Sequence, residues 1–249
     1  MERTILHCDC NSFYASVECI RRPRLWQVPM AVCGDPENRH GIILAKNEPA
    51  KKYGIVTAET VWSAQKKCPE LVLVAPHHDL YARYSHQINQ IYGQYTDRVE
   101  PFSIDESWLD VTGSQKLFGT GPQIADALRA RVRKELGLTI SVGVSFNKIF
   151  AKMGSDYKKP DATTVITREN YTSLLYPLPV EDMIFVGQTT AQLLRKKAGI
   201  ETIGQLAATP RERLQRILGK AGGIIWDYAH GLEDGPVAVE GAREAAKSV

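Results

Sequence analysis

The chain has 249 residues, 43% of them hydrophobic, and its 31 basic and 28 acidic residues leave a net charge of +3. That length and apolar content fit a globular protein with a full core, in one large domain or two to three small ones, and the mild charge admits nucleic acid as a partner without arguing for it. No apolar run approaches the ~20 residues of a membrane span, the N-terminus lacks a greasy leader, and the five cysteines include no Cys-x-x-Cys pair. The expectation is a cytoplasmic protein with reduced thiols and no membrane association.

Residues 4–9 read as a strand and Asn11 to Glu18 as a helix capped by Asn11 or Ser12, which puts Asp9 at a strand-to-helix turn. Gln27 to Cys33 and Gly41 to Ala45 read as short strands. Asn47 to Tyr53 reads as a helix stopped by Gly54, and Val61 to Cys68 as another ending before Pro69. From Asp79 to Tyr95, the residues Tyr81, Tyr84, Ile88, Ile91, Tyr92 and Tyr95 recur at helical spacing. Two strands, Arg98 to Ile104 and Ser107 to Val111, stand so close that they form a hairpin with Asp105-Glu106 at or near its tip. A helix from Pro122 to Leu136 and a strand from Thr139 to Ser145 complete an α+β order, a mainly antiparallel sheet with helices packed on one face. After Pro177 and Pro179 the pattern changes to short helices broken at Gly187, Gly199, Gly204, Gly219 and Gly222-Gly223, a compact all-α domain. Past Leu232 the apolar periodicity stops, and Pro236 to Val249 reads as a linker cut short, so the chain is taken as a fragment.

Asp9 and the pair Asp105-Glu106 terminate or interrupt segments that otherwise read as buried strands. Charge is costly there unless a cation compensates it, and a divalent metal is the simplest one. Each site alone has a plainer reading: Asp9 as a helix N-cap, Asp105-Glu106 as an exposed hairpin tip.

The run Asp9-Cys10-Asn11-Ser12-Phe13-Tyr14-Ala15-Ser16-Val17-Glu18, together with Ser103-Ile104-Asp105-Glu106, resembles the two catalytic motifs of Y-family translesion DNA polymerases, the bacterial polymerase IV branch in particular. The resemblance continues through Gly41 to Gly54, Val142 to Pro160 and Val180 to Gly199. It implies a palm (1–18 and 77–166), small fingers (19–76) and an all-α thumb (167–237), with 238–249 starting a linker to a little-finger domain that is absent.

Phosphoryl transfer asks a protein chiefly for positioning and charge neutralisation, and two Mg2+ ions about 4 Å apart can clamp the attacking and leaving oxygens. Mg2+ prefers hard oxygen ligands and few protein groups, so Asp9 and Asp105 could bridge both ions, Glu106 could hold the ion at the primer 3′-hydroxyl, and the Cys10 carbonyl could add a ligand. The backbone amides of Ser12 and Phe13, at a helix start, are natural phosphate donors. By resemblance Tyr14 is the steric gate that excludes a ribose 2′-hydroxyl; the plainer reading makes Phe13 and Tyr14 core aromatics.

The fingers depart from the family pattern. Where relatives carry Tyr-x-x-Arg for the triphosphate, this chain has Glu48 at the Tyr position and Lys51 at the Arg position. Lys51 keeps the charge without the bidentate fork, and Glu48 would repel phosphate unless Lys52 pairs with it. Lys46 is a substitute cation, and Lys159, before Pro160, is the main expected triphosphate contact; a solvated face is the plain alternative for such lysines. In the thumb, Val186 to Ala191 followed by Gly199-Ile200 resembles a helix-hairpin-helix, with Gly187 and Thr189 on DNA phosphates, although Phe185 replaces its first glycine. Lys196, Lys197, Arg211, Arg213, Arg216 and Lys220 add either phosphate contacts or a solvated face. Cys8-Asp9-Cys10 and His77-His78-Asp79 are assigned no metal beyond Asp9, because strand neighbours point to opposite faces.

The resemblance thus implies a low-fidelity, template-directed DNA polymerase that joins deoxynucleoside triphosphates to primed template DNA, acts as a monomer, and meets a sliding clamp through a segment beyond Val249. The alternative is a catalytically silent relative serving as a DNA-binding accessory subunit. A nucleotide cyclase on a similar palm would need a different acidic hairpin and would leave the thumb unexplained.

Overall fold

The structure, a computed structural model, describes residues 2–34 and 41–239. Strand β1 (Ile5–Cys10) is buried at every position and turns through Asn11-Ser12 into helix α1 (Phe13–Arg21). Asn11 fastens that turn to a neighbouring strand: its side chain donates to Thr139 Oγ1 at 3.1 Å and accepts from Ser141 Oγ at 2.9 Å. It is therefore not the helix cap; Ser12, the other expected candidate, takes the N-cap position at φ 50° without a side-chain cap bond.

A small second sheet follows, built from β2 (Met30–Cys33), β3 (Ile43–Lys46), the single turn α2 (Glu48–Lys51), α3 (Val61–Lys67) and β4 (Val72–Val74). Its strand order is β3-β2-β4, with β2 antiparallel to β3 and parallel to β4. The helix expected over 47–53 closes after one turn. Asn47 caps it by accepting from Ala50 N at 3.0 Å, and Gly54 leaves it at φ +71°.

The chain then adds α4 (His78–Gly93), β5 (Val99–Pro101), β6 (Glu106–Asp110), α5 (Gln115–Phe118), α6 (Gly121–Leu136), β7 (Ile140–Ser145), α7 (Lys148–Tyr157) and β8 (Thr163–Val165). The main sheet has the order β5-β6-β1-β7-β8 and is antiparallel except for the β7–β8 pair. β4 and β8, three residues each, are additions to the sequence reading; strands that short carry too little alternation to be seen.

Alternation along β1 divides the core. Leu6, Cys8 and Cys10 join Val17, Tyr81, Ile88, Leu128 and Val132, so α1, α4 and α6 cover one face. Ile5 and His7 look the other way, where Ile5 packs with Ala151 and His7 Nδ1 lies 2.8 Å from Ser155 Oγ. The expected packing on one face is corrected here, since α7 covers the second face. Gly143 makes this possible: a Cβ there would fall 1.8 Å from the Ala151 carbonyl oxygen and 2.5 Å from Ser155 N. Only a strand position without a side chain lets α7 lie so close.

The last third forms α8 (Tyr171–Leu175), α9 (Gln188–Ala198), α10 (Ile203–Ala208), α11 (Arg211–Leu218) and α12 (Lys220–Ala229). Leu175, Leu194, Leu206 and Leu214 form their core, and Phe150 and Met153 of α7 extend it toward the sheet. Gly204, Gly222 and Gly223 lie inside helices, not at breaks. A Cβ on Gly222 would meet the Leu214 carbonyl oxygen at 2.2 Å, so this glycine serves close helix packing. The stretch after Leu232, which has no periodicity, still places Val237 in the core beside Ile5, Trp108 and Ala151, while Ala238 N donates to Glu100 at 2.9 Å. Of the linker expected over 238–249, residues 240–249 lie outside the described residues.

The Gly143–α7 contact generates a stability prediction. Gly143→Ala drives a methyl into backbone that has no room to yield, and is expected to remove about 3 kcal/mol or more, lowering the Tm by roughly 10 °C. Thermal unfolding followed by circular dichroism measures it; an unchanged Tm would mean that α7 is free to shift.

Candidate active site

Strand register brings the carboxylates together. Asp9 pairs directly with Glu106 across β1 and β6, and Cys10 N donates to the Asp105 carbonyl at 3.1 Å. Asp105 occupies the hairpin turn, where Ser103 Oγ donates to its Oδ1 at 2.7 Å, and Glu106 opens β6. These three residues line a cleft of about 620 Å³ between the two sheets, together with Cys10, Ser12, Phe13, Tyr14, Lys46, Glu48, Lys51, Thr57 and Lys159. Every residue expected at the carboxylates, the gate and the triphosphate thus reaches one cleft. Gly187 and Thr189 do not: both are exposed at the start of α9 and line no part of it.

Each carboxylate carries its own electrostatic environment. Burial raises the Asp9 carboxyl to about 7, against the pull of the Lys159 ammonium 2.7 Å from its Oδ2. Burial also raises Asp105, with the Ser103 hydroxyl opposing it. Burial would raise Glu106 too, but contacts from His7 and Lys152 prevail and hold it down at about 2, with Lys152 Nζ 2.6 Å from Oε2 and His7 Nε2 at 3.5 Å. Lys159 lies beyond the end of α7 and also meets Asp156 at 2.7 Å; burial lowers its ammonium, and the two aspartates more than reverse that.

Lys152, His7 and Asp156 were missing from the sequence reading. Lys152 stands one turn after Lys148 on α7, near Ala151, Gly154 and Ser155, and a charge beside small residues on a helix is the one signal that marks it.

Tyr14 is half buried on α1. Its ring stacks on Tyr81 with centroids 4.1 Å apart and planes within 14°, and His78 meets it edge-on at 6.0 Å. It is neither a plain core aromatic nor free to swing. The amides at the start of α1 have no intrahelical acceptors and no side-chain cap, so Ser12 and Phe13 present donors at the cleft.

On the opposite wall the expected Glu48–Lys52 pair is replaced by Glu48–Lys51, at 2.6 Å. Positions i+3 and i+4 both neighbour Glu48 on a helical turn, and Lys51 is the one that makes the contact. Lys46 Nζ donates to Thr57 Oγ1 at 2.9 Å. In the helical region Phe185, at the expected glycine position, takes φ +66° and stays largely exposed, so the backbone keeps a glycine-like conformation without the glycine.

The donor set suits a hard divalent cation: three carboxylates and a backbone carbonyl, with the cysteine sulfurs of Cys8 and Cys10 buried on the other face. As they stand, Lys159 and Lys152 occupy one oxygen each of Asp9 and Glu106, and among the described residues no three His, Cys, Asp or Glu side chains converge on a metal position. No disulfide links the cysteines among the described residues. No helix of the described residues is long and apolar enough to cross a membrane.

The fold is that of a known group. The chain belongs to the impB/mucB/samB family, whose profile matches residues 8–156. It is 53% identical over 249 residues to DNA polymerase IV of Acetivibrio thermocellus, covering all of this chain and 62% of that protein. It is 42% identical over 240 residues to DNA polymerase IV 2 of Bacillus subtilis strain 168, covering 95% of this chain and 58% of that one. Among solved structures, a Y-family DNA polymerase chimera of Dbh and Dpo4 superposes with a TM-score of 0.87, and an insertion ternary complex of Dbh DNA polymerase with 0.85. Each is 26% identical and covers 94% of this chain and 69% of the other. The chain spans about three fifths of the length of the curated relatives it matches.

The raised Asp9 carboxyl has a measurable consequence for stability. An unfolded aspartate titrates near ~3.9. As pH climbs from about 4 to about 7 the unfolded chain therefore loses this proton first and the folded state loses stability; the full penalty is present above pH 7 and absent below 4. In metal-free buffer Asp9→Asn is expected to be more stable than the parent at pH 8, with the difference shrinking by roughly 2 kcal/mol on going to pH 5. Urea unfolding at both pH values tests it, and a pH-independent difference would refute the assignment.

Proposed function

We propose that this chain carries the catalytic part of a template-directed DNA polymerase of the low-fidelity translesion type, which transfers a nucleotidyl group from a deoxynucleoside triphosphate to a primer 3′-hydroxyl. The observation that carries this reading is the register pairing of Asp9 with Glu106, with Asp105 at the adjoining turn, in a cleft also lined by Tyr14, Lys46, Lys51 and Lys159. In this reading residues 1–18 and 77–166 are the palm, 19–76 the fingers and 167–237 the thumb. The partners are primed template DNA and deoxynucleotides, the setting is the cytoplasm, and a sliding clamp is the expected recruiter.

Asp9, Asp105, Glu106 and the Cys10 carbonyl would hold two Mg2+ ions. When bound, these supply the charge neutralisation that lets an alkoxide-like oxygen approach a phosphate. Asp9 must then part from Lys159, whose ammonium becomes available to the triphosphate. Lys152 and His7 keep Glu106 ionised and fixed in orientation. The amides of Ser12 and Phe13 bind phosphate oxygens at the start of α1. Tyr14, braced by Tyr81, lies under the sugar and leaves no room for a 2′-hydroxyl. Gly187 and Thr189, at the start of α9, meet the backbone of the duplex away from the cleft, with the amides there as donors.

Primer extension with Mg2+ and deoxynucleotides tests the reading. Asp105→Ala is expected to lower the rate by at least about 100-fold through lost charge stabilisation; extension undiminished by that change would sink the catalytic assignment. Tyr14→Ala is expected to admit ribonucleotides, raising their incorporation relative to deoxynucleotides by an order of magnitude or more. Sugar selection equal to that of the parent would remove the gate role from Tyr14.

A further inference from the structure

Glu48 stands on the rim of the cleft, where the resemblance places a tyrosine, with its carboxylate 2.6 Å from Lys51 Nζ. The turn that bears both is held firmly. Asn47, almost fully buried, accepts from Met30 N and Ala50 N and donates to the carbonyls of Leu25 and Val28. Glu48 and Lys51 therefore face the cleft from a fixed base. The pair is open to solvent, with side-chain exposures of 56% and 39%, so the two groups can part without desolvation.

The neighbouring cations are also engaged. Lys46 donates to Thr57, and Lys159 is shared between Asp9 and Asp156. Lys46 feels first its own partial burial and then the charge of Lys51, both of which lower it, and both lysines line the cleft. A polyphosphate in this cleft would lie among these lysines and the amides of Ser12 and Phe13, which line it as well.

Resting on the polymerase reading of this cleft, we infer that Glu48 competes with the polyphosphate for Lys51: a nucleotide binds by breaking the Glu48–Lys51 pair, and pyrophosphate leaves as the pair re-forms. Glu48 touches neither the sugar nor the reacting phosphorus. Its effect falls on substrate affinity and product release, and its size is that of an exposed ion pair.

Steady-state primer extension and inhibition by inorganic pyrophosphate, measured for the parent, Glu48→Gln, Lys51→Ala and the double variant, test this. Glu48→Gln is expected to lower both the KM for deoxynucleotide and the Ki for pyrophosphate two- to fivefold, about 0.4–1 kcal/mol. Lys51→Ala is expected to raise both, and in that background the gain from Glu48→Gln disappears. Raising the ionic strength shrinks the gain, since the pair is exposed. Unchanged KM and Ki in Glu48→Gln, or an equal gain with and without Lys51, overturns the inference while leaving the polymerase reading intact. Absence of extension by the parent protein sinks that reading and this inference together.

Discussion

The centre of this molecule depends on placing carboxylates at the end of a fully buried strand and answering them with ammonium groups from the helix on the far face. β1 is buried throughout, and Asp9 interrupts its apolar run. An isolated carboxylate there would be expensive, and a protein normally responds by neutralising or pairing it. Both responses are visible: burial drives the Asp9 proton affinity up, and Lys159 sits against the carboxylate. Glu106 is answered more completely, by Lys152 and His7. Lys152, on α7, and Lys159, just past its end, reach the carboxylates because α7 lies so close to the sheet, and α7 lies so close because residue 143 is a glycine. Packing and electrostatics of the site are therefore one problem with one solution.

The cleft is balanced by internal pairing. Asp9 meets Lys159, Glu106 meets Lys152, Glu48 meets Lys51, and Lys46 rests on a threonine hydroxyl. Acidic groups still outnumber basic ones along the lining, where Asp9, Glu48, Asp105 and Glu106 face Lys46, Lys51 and Lys159. A polyanion arriving alone would meet net repulsion, whereas one arriving with divalent cations would not. On the proposed reading, binding is an exchange of partners: metal for lysine at the aspartates, phosphate for carboxylate at the lysines. Exchange keeps the affinity of each step modest and its reversal easy.

Much of this was legible in the residues. Asp9 at a strand-to-helix turn, the tight hairpin carrying Asp105-Glu106, and the long amphipathic helices α4 and α6 all follow from periodicity and turn chemistry that act over a few residues. The α+β class follows from their order. Contacts set by tertiary approach were not legible. β8 has three residues and pairs in parallel with β7, across the intervening α7. The covering of the second face by α7 hangs on one glycine whose role appears only when a helix backbone sits above it. Gly222 looks like a breaker in sequence and is a packing surface in space. Val237 joins the core as a single apolar residue, with no pattern around it to announce it. At the site, the carboxylates were visible because charge in a strand is conspicuous. Lys152 was not, because a lysine on a helix is ordinary until its Nζ is found on Glu106.

Shape-based selection of a sugar demands more than an aromatic ring at the right position. A hydroxyl is small, and a tyrosine free to change rotamer would step aside for it at little cost. Here Tyr14 stacks nearly parallel on Tyr81, and Tyr81 is itself tethered, its hydroxyl donating to Glu18 at 2.8 Å. Glu18 is fully buried one turn further along α1. Burial raises its proton affinity, but bonds from Tyr81, Arg22 and His77 outweigh that and keep it ionised. The rigidity of the ring at the cleft therefore derives from a buried charge network joining α1 to the start of α4, on the side of the sheet away from α7. On the proposed reading the two faces divide the work: the α7 face governs the charge on the carboxylates, and the α1–α4 face would govern the shape under the sugar. β1 carries both, since it ends in Asp9 and leads directly into the helix that holds Tyr14.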